Sequence, residues 1–246
     1  MLVDRGLAPS RTRAQALLLG GKVRVGSGDG ARLDRKSGDL VDSETLLEVT
    51  EAAPFVSRGG EKLAGALDAF GIDPVGRVCL DVGASTGGFT DCLLRRGATR
   101  VYALDVGRGQ LAETLRGDPR VVVMERTHAG RLDPEAEDPL RLPEPVSLAV
   151  IDVSFISLTR ILRGVAFAVE FGGDVVALVK PQFELLPREV PKGVVRDPVA
   201  RQVAVERVRD HATALGLERV GSVESPLVGP AGNHEFFLHL RVTGTA

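Results

Sequence analysis

Four charged residues stand where the sequence pattern predicts a strand end or a helix start, in the order Lys, Asp, Lys, Glu. They are Lys62 in RGGEKL, Asp152 in AVIDVSF, Lys180 in VALVKPQF and Glu235 in GNHEFFL. A lysine amine accepts a proton only in its neutral form, which burial and a second nearby cation favour, and carboxylates can orient such an amine. This set therefore suits a site that removes a proton from a poor nucleophile, with Lys62 as the second cation. A dehydrogenase does not need this set of four charged residues.

A glycine-rich segment, LDVGASTGGFT, offers a place for a nucleotide-like ligand between a strand and a helix. Gly83 permits a tight turn, and the Gly87–Gly88 pair lets a ligand approach the backbone where the helix begins. A dinucleotide site calls for glycine at position 85, where this chain has Ser85. Asp81, just before the turn, suits a ligand amine better than a pyrophosphate.

Asp105 stands at the end of the second strand, about 20 residues after the turn, where a carboxylate accepts the hydroxyls of an adenosine ribose. S-adenosylmethionine has that ribose, carries no phosphate and ends in an amino acid that Asp81 would attract. The loop therefore predicts S-adenosylmethionine rather than NAD. A purely structural glycine turn is the alternative, and the spacing to Asp105 argues against it. Next to a bound methylsulfonium, the four charged residues would activate a ribose 2′-hydroxyl.

The elements that position these residues follow from alternating apolar and amphipathic runs after residue 60. Predicted strands are 77–82, 100–105, 120–124, 146–152, 174–180, 217–224 and 235–241, and predicted helices are 87–96, 108–116, 157–170 and 197–214. Such alternation predicts an α/β fold of the Rossmann-like type, with a mostly parallel seven-stranded sheet and an antiparallel last strand. Since ligands bind outside the carboxyl ends of parallel strands, Asp152 and Lys180 should face the same crevice as Gly83.

Residues 1–52 form a separate small α+β unit in this interpretation, joined by a linker at 53–60 to a second domain at 61–246. A helix begins at Pro9-Ser10 and stops at Gly20-Gly21, and strand signals follow at Val23 to Val25, around Leu40 and in TLLEV. Residues 1–38 hold eight Lys and Arg against three Asp, whereas 39–52 hold five acidic residues and no basic one. The basic face indicates either an ordinary solvated surface or contact with a polyanion.

Composition excludes several classes of protein. The chain is 43% hydrophobic and 26% charged with a net charge of −2, and no apolar run approaches the length of a membrane span. No basic segment followed by an apolar run marks the N-terminus, so we expect a cytoplasmic protein without membrane contacts, acting as a monomer. The two cysteines, Cys79 and Cys92, are expected to be buried free thiols. Together with the four histidines they show no ligand spacing, so no metal is predicted.

The N-terminal segment resembles the S4 RNA-binding module, whose helix and following G-x-V-x-V strand are matched here by Ser10, Arg11, Ala14, Leu18, Gly21, Val23 and Val25. The resemblance favours RNA as the polyanion, with basic side chains engaging phosphates. The RNA-binding residues that it implies are Arg5, Arg11, Arg13, Lys22 and Arg24. Arg58, which precedes Gly59-Gly60 beside Lys62, is a further candidate for contact with a substrate phosphate. The loop GSGDG replaces the usual Asn-Gly after the strand.

The whole chain resembles the TlyA/haemolysin A family, in which an S4 module precedes an FtsJ-like methyltransferase domain. The segments that match are VSRGGEKL, CLDVGASTGGFTDCLL, VIDVSFISL, LVKPQFE, GVVRD and GPAGNHEF. The resemblance implies S-adenosylmethionine-dependent 2′-O-methylation of cytidine in 16S and/or 23S ribosomal RNA, with ribosomal subunits as partners. It places a catalytic tetrad on Lys62, Asp152, Lys180 and Glu235. The cofactor-binding residues that it implies are Asp81, Gly83, Ala84, Ser85, Thr86, Gly87, Gly88, Phe89, Asp105, Val106, His128 and Asp152.

Two segments depart from the family pattern. GRGQL places Arg108 where an aromatic residue is usual, and ERTHAG places His128 and Gly130 where Asn and Arg are common. Two other functions stay open at this point: a non-catalytic RNA-binding or ribosome-assembly factor with a vestigial cofactor fold, and a membrane-active haemolysin. The intact catalytic positions argue against the first, and the absence of a long basic amphipathic helix argues against the second.

Overall fold

The computed structural model describes residues 1–19, 22–26, 38–49, 55–190, 193–229 and 231–244, without the side chains of Arg13, Ala16 and Leu19. The chain divides into two compact units, Met1–Pro54 and Phe55–Ala246. The predicted helix stop at Gly20-Gly21, most of the GSGDG turn and the start of the predicted linker lie outside the described residues.

The first unit consists of one helix and a short antiparallel strand pair. Helix α1 is Arg11–Leu19, strand β1 is Val23–Val25 and strand β2 is Leu47–Val49, with Val23 opposite Val49. Its core is made of Leu2, Ala8, Ala14, Leu17, Val23, Val25 and Leu47. The prediction of a strand around Leu40 is wrong: this residue is irregular and 97% exposed, so its side chain gains no burial that would favour a strand.

The second unit alternates strands and helices. Its strands are β3 (Val78–Val82), β4 (Arg100–Leu104), β5 (Val121–Met124), β6 (Val146–Ile151), β7 (Val169–Val179), β8 (Leu217–Glu224) and β9 (Phe236–Val242). Its helices are α2 (Arg58–Phe70), α3 (Gly88–Arg95), α4 (Glu113–Arg116), α5 (Leu162–Ala168), α6 (Pro181–Glu184) and α7 (Pro198–Ala214).

One seven-stranded sheet, in the order β5-β4-β3-β6-β7-β9-β8, organises this unit. Strands β3 to β7 pair in parallel, while β9 is antiparallel to both β7 and β8. The prediction of a mostly parallel α/β sheet with an antiparallel last strand is confirmed. The chain order reverses at β3, whose neighbours are β4 on one side and β6 on the other, so a crevice opens there at the carboxyl ends of the strands.

Two predicted helices are shorter than their sequence patterns suggested. The helix predicted at 108–116 is reduced to α4, because the preceding Gly109 adopts a left-handed φ of +67° that an α-helix cannot contain. The helix predicted at 157–170 is a 3-10 turn, Leu158–Arg160, followed by α5, and Val169 already begins β7. The four-residue helix α6 was not predicted.

Apolar side chains cover both faces of the sheet. One face packs against α5 and α7, and the other against α2 and α3. Cys79 and Cys92 are both fully buried in the second of these layers, and burial raises the pKa of each thiol to about 12. Both cysteines therefore act as packing residues.

A buried charge cluster lies at the edge of the sheet opposite the crevice. Asp174 at the amino end of the regular part of β7 accepts hydrogen bonds from Arg77 Nη1 (2.7 Å) and His239 Nε2 (2.8 Å). The ring of His239 packs against Phe70, with 5.2 Å between the ring centres. Although burial opposes ionisation of Asp174, its hydrogen bonds from His239 and Arg77 hold the pKa of the carboxyl below its ordinary value.

Asp174→Asn should lower the free energy of unfolding by about 2 kcal/mol at pH 7, because two charge-assisted hydrogen bonds are lost. The lowered pKa means that this contribution is present above the unfolded carboxyl pKa and is lost as acid protonates the folded protein. The difference between the two proteins, measured by urea unfolding, should therefore shrink as the pH falls below 4. A difference that is independent of pH would contradict this assignment.

Candidate functional site

The glycine loop between β3 and α3 depends on a left-handed turn. Gly83 has φ +89°, and a Cβ atom there would lie 2.4 Å from the carbonyl oxygen of Asp152, so only glycine fits. Gly87, with φ +96°, precedes the first residue of α3. Ser85 adopts φ +47° although it is not glycine. The backbone of this loop is thus drawn close to the end of β6.

Asp105, at the end of β4, holds the loop from the other side. Its Oδ2 accepts a hydrogen bond from the backbone N–H of Ser85 (2.8 Å), and its Oδ1 accepts one from the N–H of Gly107 (2.6 Å). The Ser85 hydroxyl donates to Gln110 Oε1 at 3.2 Å. Each carboxylate oxygen keeps a free lone pair for a further donor, such as a sugar hydroxyl.

A cavity of about 540 Å³, here called the Asp105 cavity, adjoins the loop. Among the predicted cofactor residues, it is lined by Gly83, Ser85, Asp105, Val106, His128 and Asp152. His128 Nδ1 accepts a hydrogen bond from the Gly130 N–H (3.0 Å), so a neutral ring carries its proton on Nε2. The cavity thus offers both a carboxylate acceptor and an imidazole donor.

A second cavity of about 310 Å³, here called the tetrad cavity, brings the four charged residues together. Lys62, Asp152, Lys180 and Glu235 all line it, beside Arg58 and the glycine-loop residues Gly83, Ala84, Ser85, Thr86, Gly88 and Phe89. Gly87 lines neither cavity. The two cavities share Asp152 and Ser154 on the turn after β6. A ligand on the loop therefore lies next to the charged groups.

The four charged residues form two ion pairs. Lys62 Nζ donates to Glu235 Oε2 at 2.5 Å, and both side chains are buried. Lys180 Nζ lies 2.6 Å from Asp152 Oδ1 and donates to Ser154 Oγ at 2.9 Å. Each buried ammonium thus has one carboxylate partner, which offsets the cost of removing it from water.

Asp81 lies beneath the loop and lines neither cavity. It is fully buried, and its Oδ2 accepts a hydrogen bond from the Thr90 hydroxyl (2.6 Å), while its Oδ1 has no hydrogen-bond partner among the described residues. Burial raises the pKa of this carboxyl to about 7, and the negative charges of Asp152 and Asp105 add to the effect. Asp81 therefore supplies an unused buried acceptor next to the site.

Left-handed backbone at residues other than glycine clusters around these cavities. In the part of the chain that the structure describes, Ser85, Arg126 and Phe155 adopt it, with φ of +47°, +56° and +65°. Phe155 is 91% exposed, and its ring lies 5.2 Å from that of Phe183. A third cavity of about 390 Å³ is lined by both rings together with Lys180 and Glu235. Such strain is usual at functional sites.

The predicted RNA-binding residues are placed in different ways. In the first unit, Arg11 is exposed, Arg24 lies 3.9 Å from Glu48 and Arg5 donates to the backbone carbonyls of Ser43 and Thr45. Lys22 is half-buried, and the side chain of Arg13 lies outside the described residues. In the second unit, Arg58 is exposed at the start of α2 and lines the tetrad cavity.

The sequence interpretation missed several lining residues. Ser154, Gln110, Thr127 and Arg160 line the Asp105 cavity, and Ser154 also contacts Lys180. The position of Ser154 two residues after Asp152 was an available signal, whereas nothing local marks Arg160. Among the described residues, no three His, Cys, Asp or Glu side chains converge as metal ligands do. None of the described helices is long and apolar enough to cross a membrane.

The amino-acid sequence of this chain is similar to those of known methyltransferases. Residues 55–242 match the FtsJ-like methyltransferase family. The chain is 50% identical over 242 residues to the Mycobacterium tuberculosis protein named 16S/23S rRNA (cytidine-2′-O)-methyltransferase TlyA, covering 98% of this chain and 87% of the relative. These matches include every segment that carries the tetrad and the glycine loop.

Solved structures agree on the fold. A Streptococcus thermophilus protein that carries the provisional name haemolysin is 40% identical, with a TM-score of 0.76 over 99% of this chain and 87% of that one. An S-adenosylmethionine dependent methyltransferase from Mesorhizobium loti is 17% identical, with a TM-score of 0.52 over 72% of this chain and 96% of that one. The second likeness concerns the fold alone.

Glu235→Ala should lower the free energy of unfolding by about 3 kcal/mol, because it leaves the Lys62 ammonium buried without a carboxylate. Removing both charges in Lys62→Met/Glu235→Ala should recover most of this loss. Chemical unfolding measures both effects, and Glu135→Ala, which breaks an exposed pair with Arg163, is the control that should change little. A double variant that is no more stable than Glu235→Ala would contradict the coupling.

Proposed function

The chain belongs to the TlyA family of FtsJ-like methyltransferases, and on that premise we propose that it transfers a methyl group from S-adenosylmethionine to the 2′-hydroxyl of cytidine in ribosomal RNA. The observation that carries this proposal is the convergence of Lys62, Asp152, Lys180 and Glu235 in one cavity beside the glycine loop. The substrate implies action in the cytoplasm, on one or both ribosomal subunits.

The residues around the loop fit S-adenosylmethionine. Asp105 has lone pairs for two ribose hydroxyls, and Gly83 lines both cavities with no side chain to obstruct a ligand. Asp81 Oδ1 is a buried acceptor without a hydrogen-bond partner among the described residues. An ammonium group of a ligand bound at the loop would be such a partner. Val106, which is 65% exposed at the cavity wall, offers an apolar surface for an adenine ring. His128 offers a donor beside it.

The chain's own residues prepare the hydroxyl. When bound, S-adenosylmethionine supplies a methyl group on a positively charged sulfur. Lys180, in its neutral form, accepts the proton of the 2′-hydroxyl at Nζ, while Asp152 and Ser154 hold that nitrogen in place. Lys62, held by Glu235, provides a second positive charge in the same cavity, which helps to hold the developing oxyanion.

The RNA itself requires a wider surface. We assign the first unit to RNA binding as an S4-like module, with Arg11 and Arg24 on its described surface, and we assign Arg58 to a phosphate next to the target nucleotide. The exposed ring of Phe155 lines the third cavity together with Lys180 and Glu235, where it can contact a base. One copy of the chain contains all of these groups, so we propose that a monomer acts.

The test is methyl transfer to isolated ribosomal subunits. Incubation with methyl-labelled S-adenosylmethionine should label unmodified small subunits, large subunits or both, at cytidines that then resist alkaline cleavage. Alkali resistance is specific for this product, because cleavage needs the free 2′-hydroxyl. Cofactor binding without label in either subunit would instead favour an RNA-binding or ribosome-assembly factor.

Lys180→Ala should lower methyl transfer by at least about 1,000-fold, because both the proton acceptor and its alignment are lost. Cofactor affinity, measured by calorimetry, should change by less than about threefold, since Lys180 does not line the Asp105 cavity. Arg209→Ala, which removes the ion pairs of this half-buried side chain with Glu206 and Asp210 on α7, is the control and should keep full turnover. A Lys180 variant with wild-type turnover would refute the tetrad assignment.

The affinity for S-adenosylmethionine should fall as the pH drops below about 7. Burial raises the pKa of Asp81 to about 7, so below that pH the carboxyl is neutral and must lose a proton before it can pair with the ligand ammonium. The loss approaches tenfold for each pH unit, and calorimetry in buffers of different ionisation enthalpy should detect the released proton. Asp81→Asn should bind more weakly and without this pH dependence. Equal wild-type affinities at pH 6 and pH 8 would contradict the assignment.

A further inference from the structure

Glu184 is a buried carboxylate that the proposed chemistry does not use. It is the last residue of α6, the short helix that begins directly after Lys180, and it is only 4% exposed. Burial raises the pKa of this carboxyl above its ordinary value, although its hydrogen bonds oppose the shift. A buried carboxylate needs hydrogen bonds or an ion pair to offset the cost of its burial, and the hydrogen bonds of Glu184 indicate what it does.

Both carboxylate oxygens bind the turn that follows β6. Oε2 accepts a hydrogen bond from the Ser157 hydroxyl (2.5 Å), and Oε1 accepts one from the backbone N–H of Leu158 (2.9 Å). That turn carries Asp152 and Ser154, the two contacts of the Lys180 ammonium. Glu184 therefore joins the segment that follows β7, which carries Lys180, to the turn that follows β6, which carries Asp152. Lys180 and Asp152 form one of the two ion pairs.

Neighbouring contacts fix Glu184 from the other side. Arg207 on α7 donates a hydrogen bond to the Glu184 backbone carbonyl, which holds α6 against the long helix. One residue earlier, the ring of Phe183 packs against Phe155 on the same turn. The strained left-handed backbone of Phe155 thus lies in the turn between Asp152 and the residues that Glu184 binds, Ser157 and Leu158. Packing on both sides of the turn can maintain this strained conformation.

We propose that Glu184 is a positioning residue that keeps the turn carrying Asp152 and Ser154 in register with Lys180. The inference rests on the proposed function, because it concerns the alignment of the proposed base. Glu184 does not line any of the three cavities that contain tetrad or glycine-loop residues, so it acts through the turn rather than on a ligand.

The test compares Glu184→Ala with Glu184→Gln. Alanine removes both hydrogen bonds, and kcat should fall roughly 10- to 100-fold, with a smaller change in KM for the RNA. Glutamine keeps both, since its oxygen can accept from Leu158 and its amide can donate to the Ser157 hydroxyl, so its kcat should stay within about threefold of wild type. Equal kcat values for alanine and wild type would overturn the proposal, as would a glutamine variant as impaired as alanine.

A structural control separates positioning from general loss of stability. Asp174→Asn weakens a buried cluster on β7, six residues before Lys180 and about 20 Å away from it. This variant should have a lower melting temperature, but its kcat, measured 20 °C below that melting temperature, should not fall. An equal loss of kcat in this control would overturn the proposal.

Should Glu184→Ala fail to fold, Ser157→Ala removes one of the two hydrogen bonds and should lower kcat about threefold to tenfold. Wild-type kcat in Ser157→Ala would then overturn the proposal.

Hydrogen exchange distinguishes failure of this inference from failure of the proposed function. A wild-type protein that labels no ribosomal RNA would refute the proposed function alone. In that case exchange across residues 152–160 still decides the inference: faster exchange in Glu184→Ala, with wild-type protection in Glu184→Gln, supports the anchor. Unchanged exchange in Glu184→Ala overturns it.

Discussion

Two lysines buried at one edge of the sheet must each keep a carboxylate partner, and the arrangement of the second unit follows from that constraint. An ammonium removed from water without a counter-charge costs several kcal/mol, which exceeds what a few apolar contacts restore. Lys62 finds Glu235, far away in sequence, while Lys180 finds Asp152 on the adjacent strand. The ion pairs form only when four separate segments arrive together.

The strand directions explain how these segments meet. Asp152 and Lys180 follow β6 and β7, which are parallel, so both lie at the carboxyl edge of the sheet. Glu235 instead precedes its strand, β9, which runs antiparallel with Phe236 opposite Val179. Because of this reversal, the beginning of β9 lies at the same edge as the ends of β6 and β7. The antiparallel last strand is therefore a requirement of the site as well as of the fold.

Charge is balanced differently on the two sides of the glycine loop. Lys62 and Lys180 stand in the tetrad cavity, whereas Asp81 and Asp105 stand beneath the loop and beside it. Burial, reinforced by the negative charges of Asp152 and Asp105, raises the pKa of Asp81 to about 7. A bound ligand with a cationic end would give the Asp81 carboxylate a partner, an interaction that a dinucleotide would lack.

Local pattern was sufficient for the class of fold and for part of the site. Apolar runs alternating with amphipathic ones predicted the parallel sheet, and glycine spacing with Asp105 predicted the loop, because both features are encoded by neighbouring residues. Only the tertiary structure decided that Lys62 pairs with Glu235, that Asp81 is buried beneath the loop, and that Ser154 and Glu184 hold the segments around Lys180. These depend on strand register and on contacts between residues distant in sequence, which no local period encodes. The physical reason is that a side chain's type determines which partner it needs, whereas the packing of the whole sheet determines which partner it reaches.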